Sequence, residues 1–386
     1  MGYFKNIKDN FKLKHYTNYI VIAAALVLFF VLSSVGVLGR STLVLLHRIA
    51  YSIILAVSLN LVVGFLGELS LGHAGFMCVG AYIGCYFAVS IADAVGSPLL
   101  VMILSMLVGG IVAAVFGFII GLPALRLKGD YLAIVTLAFG EIVRNIFKNL
   151  PMFGGAMGMQ TYKISYDQKK LYIVSFIIVL IVLFLIQNLI RSKHGRAITA
   201  IRDNEIAAKA MGINVTYYKL FVFVFSAFFA GVAGVMYGHQ ISLITQDTFS
   251  YNYSIEILVM VVLGGMGSIS GSIAAAALIT YINFVLQNQL SGELAALKLL
   301  IYAIILMIVV IFSNAPALKS FRERFNLKAI VRRFTKHHAK PENIADDEAE
   351  WNRVETKIKM DEVLSVDFQN SNVYTPDKKT SKKEDE

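Results

Sequence analysis

The sequence predicts an all-α polytopic membrane protein, with about ten transmembrane or re-entrant helices and both termini cytoplasmic. Three observations lead there. Of the 386 residues, 57% are hydrophobic and only 16% are charged. Soluble domains carry about 25% charged residues. Runs such as "NYIVIAAALVLFFVLSSVGVLG" and "LYIVSFIIVLIVLFLIQNLI" are almost uncharged over about 20 residues, enough for a helix to cross roughly 30 Å of hydrocarbon. The short alternating segments of a membrane barrel are not found.

Taken in order, the candidate spans are 18–39, 43–66, 68–91, 98–122, 131–150, 171–190, 217–241, a broken segment 254–290, and 295–313. The basic stretch 1–17 precedes the first span. That span is too long for the apolar region of a signal peptide and no small-residue cleavage site follows, so an uncleaved first helix is expected. Basic residues mark the cytoplasmic side. They cluster in the N-terminus (Lys5, Lys8, Lys12, Lys14), in the 191–209 loop (Arg191, Lys193, Arg196, Arg202, Lys209) and beyond the last span (Lys319, Arg322, Arg324, Lys328).

Parity constrains the rest. Six candidate spans separate the first two basic regions, an even number, as two cytoplasmic ends require. Between the loop and Lys319, counting 254–290 once would give an odd number. That segment must therefore cross twice or be re-entrant, and "LGGMGSISGS" interrupts it at its middle. The membrane domain is 18–313, with a cytoplasmic loop at 191–216. The tail 314–386 is charged, leaves the membrane and is expected to be largely disordered. Its basic, Phe-containing first part could lie on anionic lipid.

A formal net charge of +10 needs no nucleic acid, since loops obeying the positive-inside rule account for it. Cys78 and Cys85 stand about 10 Å apart along one helix, too far for a disulfide, and read as packing residues. The dipeptide Gly-Lys does not occur, so there is no nucleotide-binding P-loop. Nor is there a His-Glu-x-x-His helix or a Cys-x-x-Cys pair. No catalytic residue, metal site or cofactor is expected in this chain. A translocation pathway or a membrane-embedded scaffold remains.

Two Gly-rich segments are the pathway candidates. "GFLGELSLGHAGFMCVGAY" places Glu68, Ser70, Gly72, His73 and Gly75 among apolar neighbours. Ionisable groups in hydrocarbon are costly and by default face a polar cavity. Unwound backbone is tolerated where it lines one. A loop merely reaching the interface, with Glu68 solvated, is the plainer alternative. "VVLGGMGSISGSIAAAALITY" has the same texture through Gly264, Gly265, Gly267, Ser268 and Gly271. Paired Gly-interrupted segments point to a transport site; small-residue helix packing is the alternative. In "LRLKGDYLAIVTLAFGEIVRNIFK", Asp130 is placed to cap a helix. Glu141 and Arg144 are placed to pair on one face, as an interfacial ion pair.

The stretch "GRAITAIRDNEIAAKAMGIN" reads as a short cytoplasmic helix. Asp203 is its expected N-cap, Glu205 lies in its first turn, Lys209 in its last, and Gly212 at the C-terminal cap. Ile206, Ala207, Ala210 and Met211 share one face. A helix of about eight residues is marginal in water and must dock, on a cytosolic partner or on its own membrane domain.

From about Ile49 to Val310, the motifs "LSLGHAGF", "LRLKGDYLAIVTLAFGEIVR", "GRAITAIRDNEIAAKAMGINVTYYKL", "FSAFFAGVAGVMYG" and "GGMGSISG" together resemble the LivM-type permeases. These are membrane subunits of ATP-binding-cassette importers for branched-chain amino acids. The resemblance implies a permease in the bacterial plasma (inner) membrane. Its partners would be a second permease of similar fold, a cytosolic ATPase dimer carrying ATP and Mg, and an extracytoplasmic binding protein delivering the amino acid. It implies that the ATPase docks on a coupling helix containing Arg196, Asp203, Glu205, Ala207, Ala208 and Gly212. Ile206 stands where such permeases carry an acid, and Glu205 stands one residue earlier. Ser272 stands where they often carry proline. Alternatives are a permease for urea, short amides or other amino acids, a secondary transporter using Glu68 and His73, and a non-transporting scaffold.

Overall fold

A computed structural model describes residues 39–127, 129–164 and 167–289, together with Tyr19, Ile22, Ala24, Ala25, Val27, Phe29, Ile304 and Met307. These belong to one compact unit, Met1–Asn314. The spans expected at 18–39 and 295–313 lie largely outside the described residues, and the tail 314–386 lies wholly outside them.

The elements are α1 (Arg40–Asn60), continued by a π-helical turn over Leu61–Leu66, α2 (His73–Val95), α3 (Pro98–Ala124), α4 (Asp130–Asn149), α5 (Gln168–Arg191), α6 (Lys193–Asp203), α7 (Glu205–Ala210), α8 (Val215–Gln240), α9 (Tyr251–Gly264) and α10 (Ile269–Gln289). A two-residue antiparallel ladder pairs β1 (Met159–Gln160) with β2 (Leu243–Ile244). Among the described residues, six helices are long and apolar enough to cross a membrane, α1, α2, α3, α5, α8 and α10, while α9 is apolar but shorter. The chain is thus an all-α polytopic membrane protein.

Alternating ends follow from the cross-links. The start of α1 meets the end of α8, where Gln240 Nε2 donates to Val44 O at 2.8 Å. It also meets the end of α10, where Arg48 Nη1 donates to Gln287 Oε1 at 2.9 Å. The far end of α1 meets α6, where Arg202 Nη1 donates to Gly64 O at 3.0 Å. The segment 254–290 is two helices, α9 and α10, folded back at a turn in which Gly265 and Gly267 take φ of +90° and +80°. Only glycine adopts that backbone freely, so the interruption read from the sequence is a true chain reversal.

The core has two joined parts: α1 is wrapped by α5, α8, α9 and α10, and α2, α3 and α8 pack on one another. From Ala50 to Val63 every residue of α1 and its π-helical turn is buried, as expected of a helix apolar on all sides. Its polar exceptions are satisfied: His47 bonds Ser175 Oγ at 2.5 Å and Met236 O at 2.9 Å. Helices α2 and α8 approach so closely that a β-carbon on Gly80 would collide with the Gly231 backbone, the small-residue packing used where hydrocarbon gives helices no hydrophobic drive to associate. Leu100, Leu104, Leu107, Ile111, Phe118 and Leu122 form one exposed stripe along α3, the face suited to lipid. Cys78 and Cys85 are both free and buried in α2.

Asp130 does not cap α4. It is the helix's first residue, and the N-cap is Gly129 at φ +58° with no side-chain bond. The carboxylate instead sits in the first turn, where it complements the helix dipole.

Candidate functional site

The two Gly-rich turns, far apart in sequence, meet at one end of the bundle. Asn60, the last residue of α1, joins them. Its Oδ1 accepts from Gly267 N at 2.9 Å, and its Nδ2 donates to Ser272 Oγ at 2.8 Å and Ser268 O at 3.1 Å. Within α10, Gly271 N bonds Ser268 Oγ at 3.2 Å. A β-carbon on Gly64 would strike both the Asn60 amide and Gly267 N, and one on Gly264 would strike the Gly271 backbone. Here the glycines serve close packing of two turns. Ser272, in the position where proline was expected, is an acceptor for Asn60.

Of the residues expected along a path, Ser70, Gly72, His73 and Gly75 are enclosed, while Gly264, Gly265, Gly267, Ser268 and Gly271 are half-buried. Ser70 and His73 are each 2% exposed. His73 Nε2 lies 2.9 Å from Ser58 Oγ, and Ser226 Oγ donates to Ser58 O at 2.6 Å. A β-carbon on Gly72 would meet Thr136, and one on Gly75 would meet Gly140. Leu71 N donates to Thr136 Oγ1 at 3.0 Å, and Ala74 N to Ser254 Oγ at 3.1 Å. The turn between the π-helical segment and α2 is therefore held by α4 and α9.

Glu68 is neither solvated nor alone. Its Oε1 lies 2.5 Å from Lys219 Nζ, and the two side chains are 13% and 6% exposed. Lys219 also reaches Glu205 Oε2 at 3.1 Å. Glu205 Oε1 pairs with Lys209 Nζ at 2.7 Å. The hydrogen bond from Lys209, with Lys219 beside it, holds the Glu205 carboxyl down to about 2 against partial burial, which acts the other way. Glu205 is therefore ionised throughout the neutral range. The chain Lys209–Glu205–Lys219–Glu68 links α7 to the turn before α2, and Arg202 adds a second link to Gly64.

The stretch 195–214 differs from the expected single helix. α6 runs through Asp203, which pairs with Arg202 at 2.8 Å instead of capping. The N-cap of α7 is Asn204, whose Oδ1 accepts from Ala207 N at 3.0 Å. The expected cap was Asp203, one residue earlier. Asn204 wins because Asp203 still has helical neighbours on its N-terminal side. Gly212 ends the helix at φ +79°, as its position predicted. Ala208 is buried at 4% and faces its own membrane domain, so its side chain is not available to another protein. Ala207 and Arg196 are exposed. Ile206 and Met211 are 81% and 82% exposed.

Replacing Asn204 with alanine removes the only side-chain cap of α7 and should cost that helix about 1 kcal/mol. Faster amide exchange over 205–212 in the variant, with α8 unchanged, is the expected result.

Asn60, Lys219 and Asn204 are the residues the sequence reading did not single out. Among the described residues, no group of three His, Cys, Asp or Glu side chains could hold a metal ion.

Residues 41–310 match the family described as "Branched-chain amino acid transport system / permease component". The chain is 33% identical over 312 residues to the high-affinity branched-chain amino acid transport system permease protein LivM of Salmonella typhimurium, covering 72% of this chain and 70% of that one. It is 31% identical over 328 residues to LivM of Escherichia coli, covering 76% and 72%. A shorter stretch, 126 residues at 29% identity, is similar to the ribose import permease protein RbsC of Haemophilus influenzae, covering 31% and 38%. No solved structure matches.

Proposed function

Because this chain belongs to the branched-chain amino acid transport permease family, matched over residues 41–310, we propose that it is the membrane-spanning subunit of an ATP-binding-cassette importer for leucine, isoleucine and valine. It works in the plasma (inner) membrane beside a second permease of similar fold. An external binding protein delivers the amino acid, and a cytosolic ATPase dimer supplies the energy, with ATP and Mg bound there. The chain itself performs no covalent chemistry.

One observation carries the docking part. Ile206, in the first turn of the capped helix α7, and Met211, its C-cap, are both more than four-fifths exposed, and Lys209 between them is exposed too. Large apolar side chains this exposed, on a polar loop outside the apolar spans, mark a protein contact. The partner engages Ile206, Ala207 and Met211, while Glu205 and Ala208 hold α7 to the permease. Movement of α7 then reaches the Gly-rich turns through Lys219 and Arg202. A partner shifts such an equilibrium only by its difference in affinity between two states, so the ATPase must grip this face differently before and after hydrolysis. Glu68 pairs with Lys219 and His73 with Ser58, contacts that support the linkage from α7 to the turn before α2.

The test is a double substitution, Ile206→Asp with Met211→Asp, in the assembled importer. The protein should insert and keep its thermal midpoint, while leucine uptake and ATPase co-purification are lost. Native uptake with both aspartates present would sink the docking assignment.

A further inference from the structure

A second polar cluster lies on α4, just beyond Gly140, which packs against Gly72 and Gly75 of the first Gly-rich segment. Arg144 holds Glu141 through Nη2 at 2.7 Å and Nε at 2.9 Å. Glu141 Oε1 accepts the backbone N–H of Tyr251, the first residue of α9, at 3.0 Å. Arg144 Nη1 lies 3.9 Å from Asp247 Oδ1. Glu141 and Arg144 are each 25% exposed and Asp247 is 82% exposed.

Depth makes this cluster unusual. Glu141 stands about 16 Å along α4 from its first residue. One residue before it, Gly140 packs against Gly75. Two turns after it, Phe147 stacks on Tyr82 with ring centroids 4.8 Å apart. The pair thus lies well inside the bundle's height, beside the first half of α2. A part-exposed ion pair at that depth is disfavoured against lipid, and such groups face a water-filled path or another chain. The same helix face is apolar above the loop: Ile134, two turns before Glu141, is 62% exposed.

We propose that Glu141 and Arg144 form the subsite that receives the zwitterionic head of a free α-amino acid during passage. The inference rests on the importer reading above. Glu141, with Asp247 beside it, takes the ammonium group, and Arg144 takes the carboxylate by its paired N–H donors. The aliphatic side chain lies along the exposed apolar face of α4. The arrangement is neutral toward its ligand: a zwitterion replaces one internal ion pair by two, and no net charge enters the membrane. When no ligand is present, the two groups satisfy each other, which avoids an unpaired charge.

The experiment uses the complete importer in proteoliposomes with saturating leucine-loaded binding protein. Glu141→Gln and Arg144→Gln should each lower leucine uptake about tenfold or more, the loss expected for a charge-assisted bond. Binding-protein-stimulated ATP hydrolysis should stay near native. The exchanged pair, Glu141→Arg with Arg144→Glu, restores an ion pair and should restore the thermal midpoint, yet leave uptake low. Restored uptake in the exchanged variant, or native uptake in either single variant, would overturn the subsite alone. Failure of the native complex to take up leucine would overturn the importer reading and the subsite with it.

Discussion

Substituting Lys219 with methionine is expected to abolish ATP-driven uptake and to destabilise the membrane domain more than any other single change at this end of the bundle. Lys219 is 6% exposed and its partner Glu68 13% exposed. Removing one member of a buried pair leaves the other charged and uncompensated, which costs about 3–5 kcal/mol. The Glu205 half of the bridge, with that carboxylate 24% exposed, should contribute only about 0–1 kcal/mol. The two halves can be separated. Adding Glu68→Gln to Lys219→Met removes the stranded charge and should recover most of the thermal midpoint. Uptake should stay lost, because α7 remains detached from the turn before α2. Thermal unfolding of the purified complex and ATP-driven leucine uptake, measured on the same preparations, check both parts. A Lys219→Met protein with native stability and native uptake would show that the bridge does no work.

Gly64→Val is the second large effect. A β-carbon there lands on the Asn60 amide and on Gly267 N. Overpacking of this kind costs about 1–3 kcal/mol. Displacing Asn60 also leaves buried donors and acceptors unpaired, at about 1–3 kcal/mol for each group. The two Gly-rich turns should separate, giving a lowered thermal midpoint and faster proteolysis in the turn 265–268. Gly39→Val is the control. It has an ordinary φ of −69° and nothing within 4 Å of the added carbon, so its stability should fall by no more than about 1 kcal/mol, the loss of a glycine N-cap. Equal behaviour of the two valine variants would remove Asn60 from its joining role.

What the sequence made legible was local. Gly265, Gly267 and Gly212 lie where the chain must take positive φ, and such positions announce themselves by residue type. The apolar runs announced most of the described spans for the same reason. The Glu141–Arg144 pair was readable because both partners lie on one helix. Asn60 and Lys219 were not, since each sits inside an apolar run and its partners come from distant segments. No spacing rule connects Lys219 to Glu68. Which side of α7 turns inward, marked by Ala208 at 4% exposure, was not readable because a short Ala-rich helix has no apolar contrast to tell its inner face from its outer one. Only the positions of Ile206 and Met211 on the exposed side settle that.

The α6–α7 unit is fastened to the membrane domain at two separate points, Arg202 on Gly64 and Glu205 on Lys219. A body pinned once can swivel about its pin, and a push on its far end is lost as rotation. Pinned twice, it passes on torque as well as displacement. A tilt of the α6–α7 unit would then load the π-helical turn through Gly64 and α8 through Lys219 at the same time.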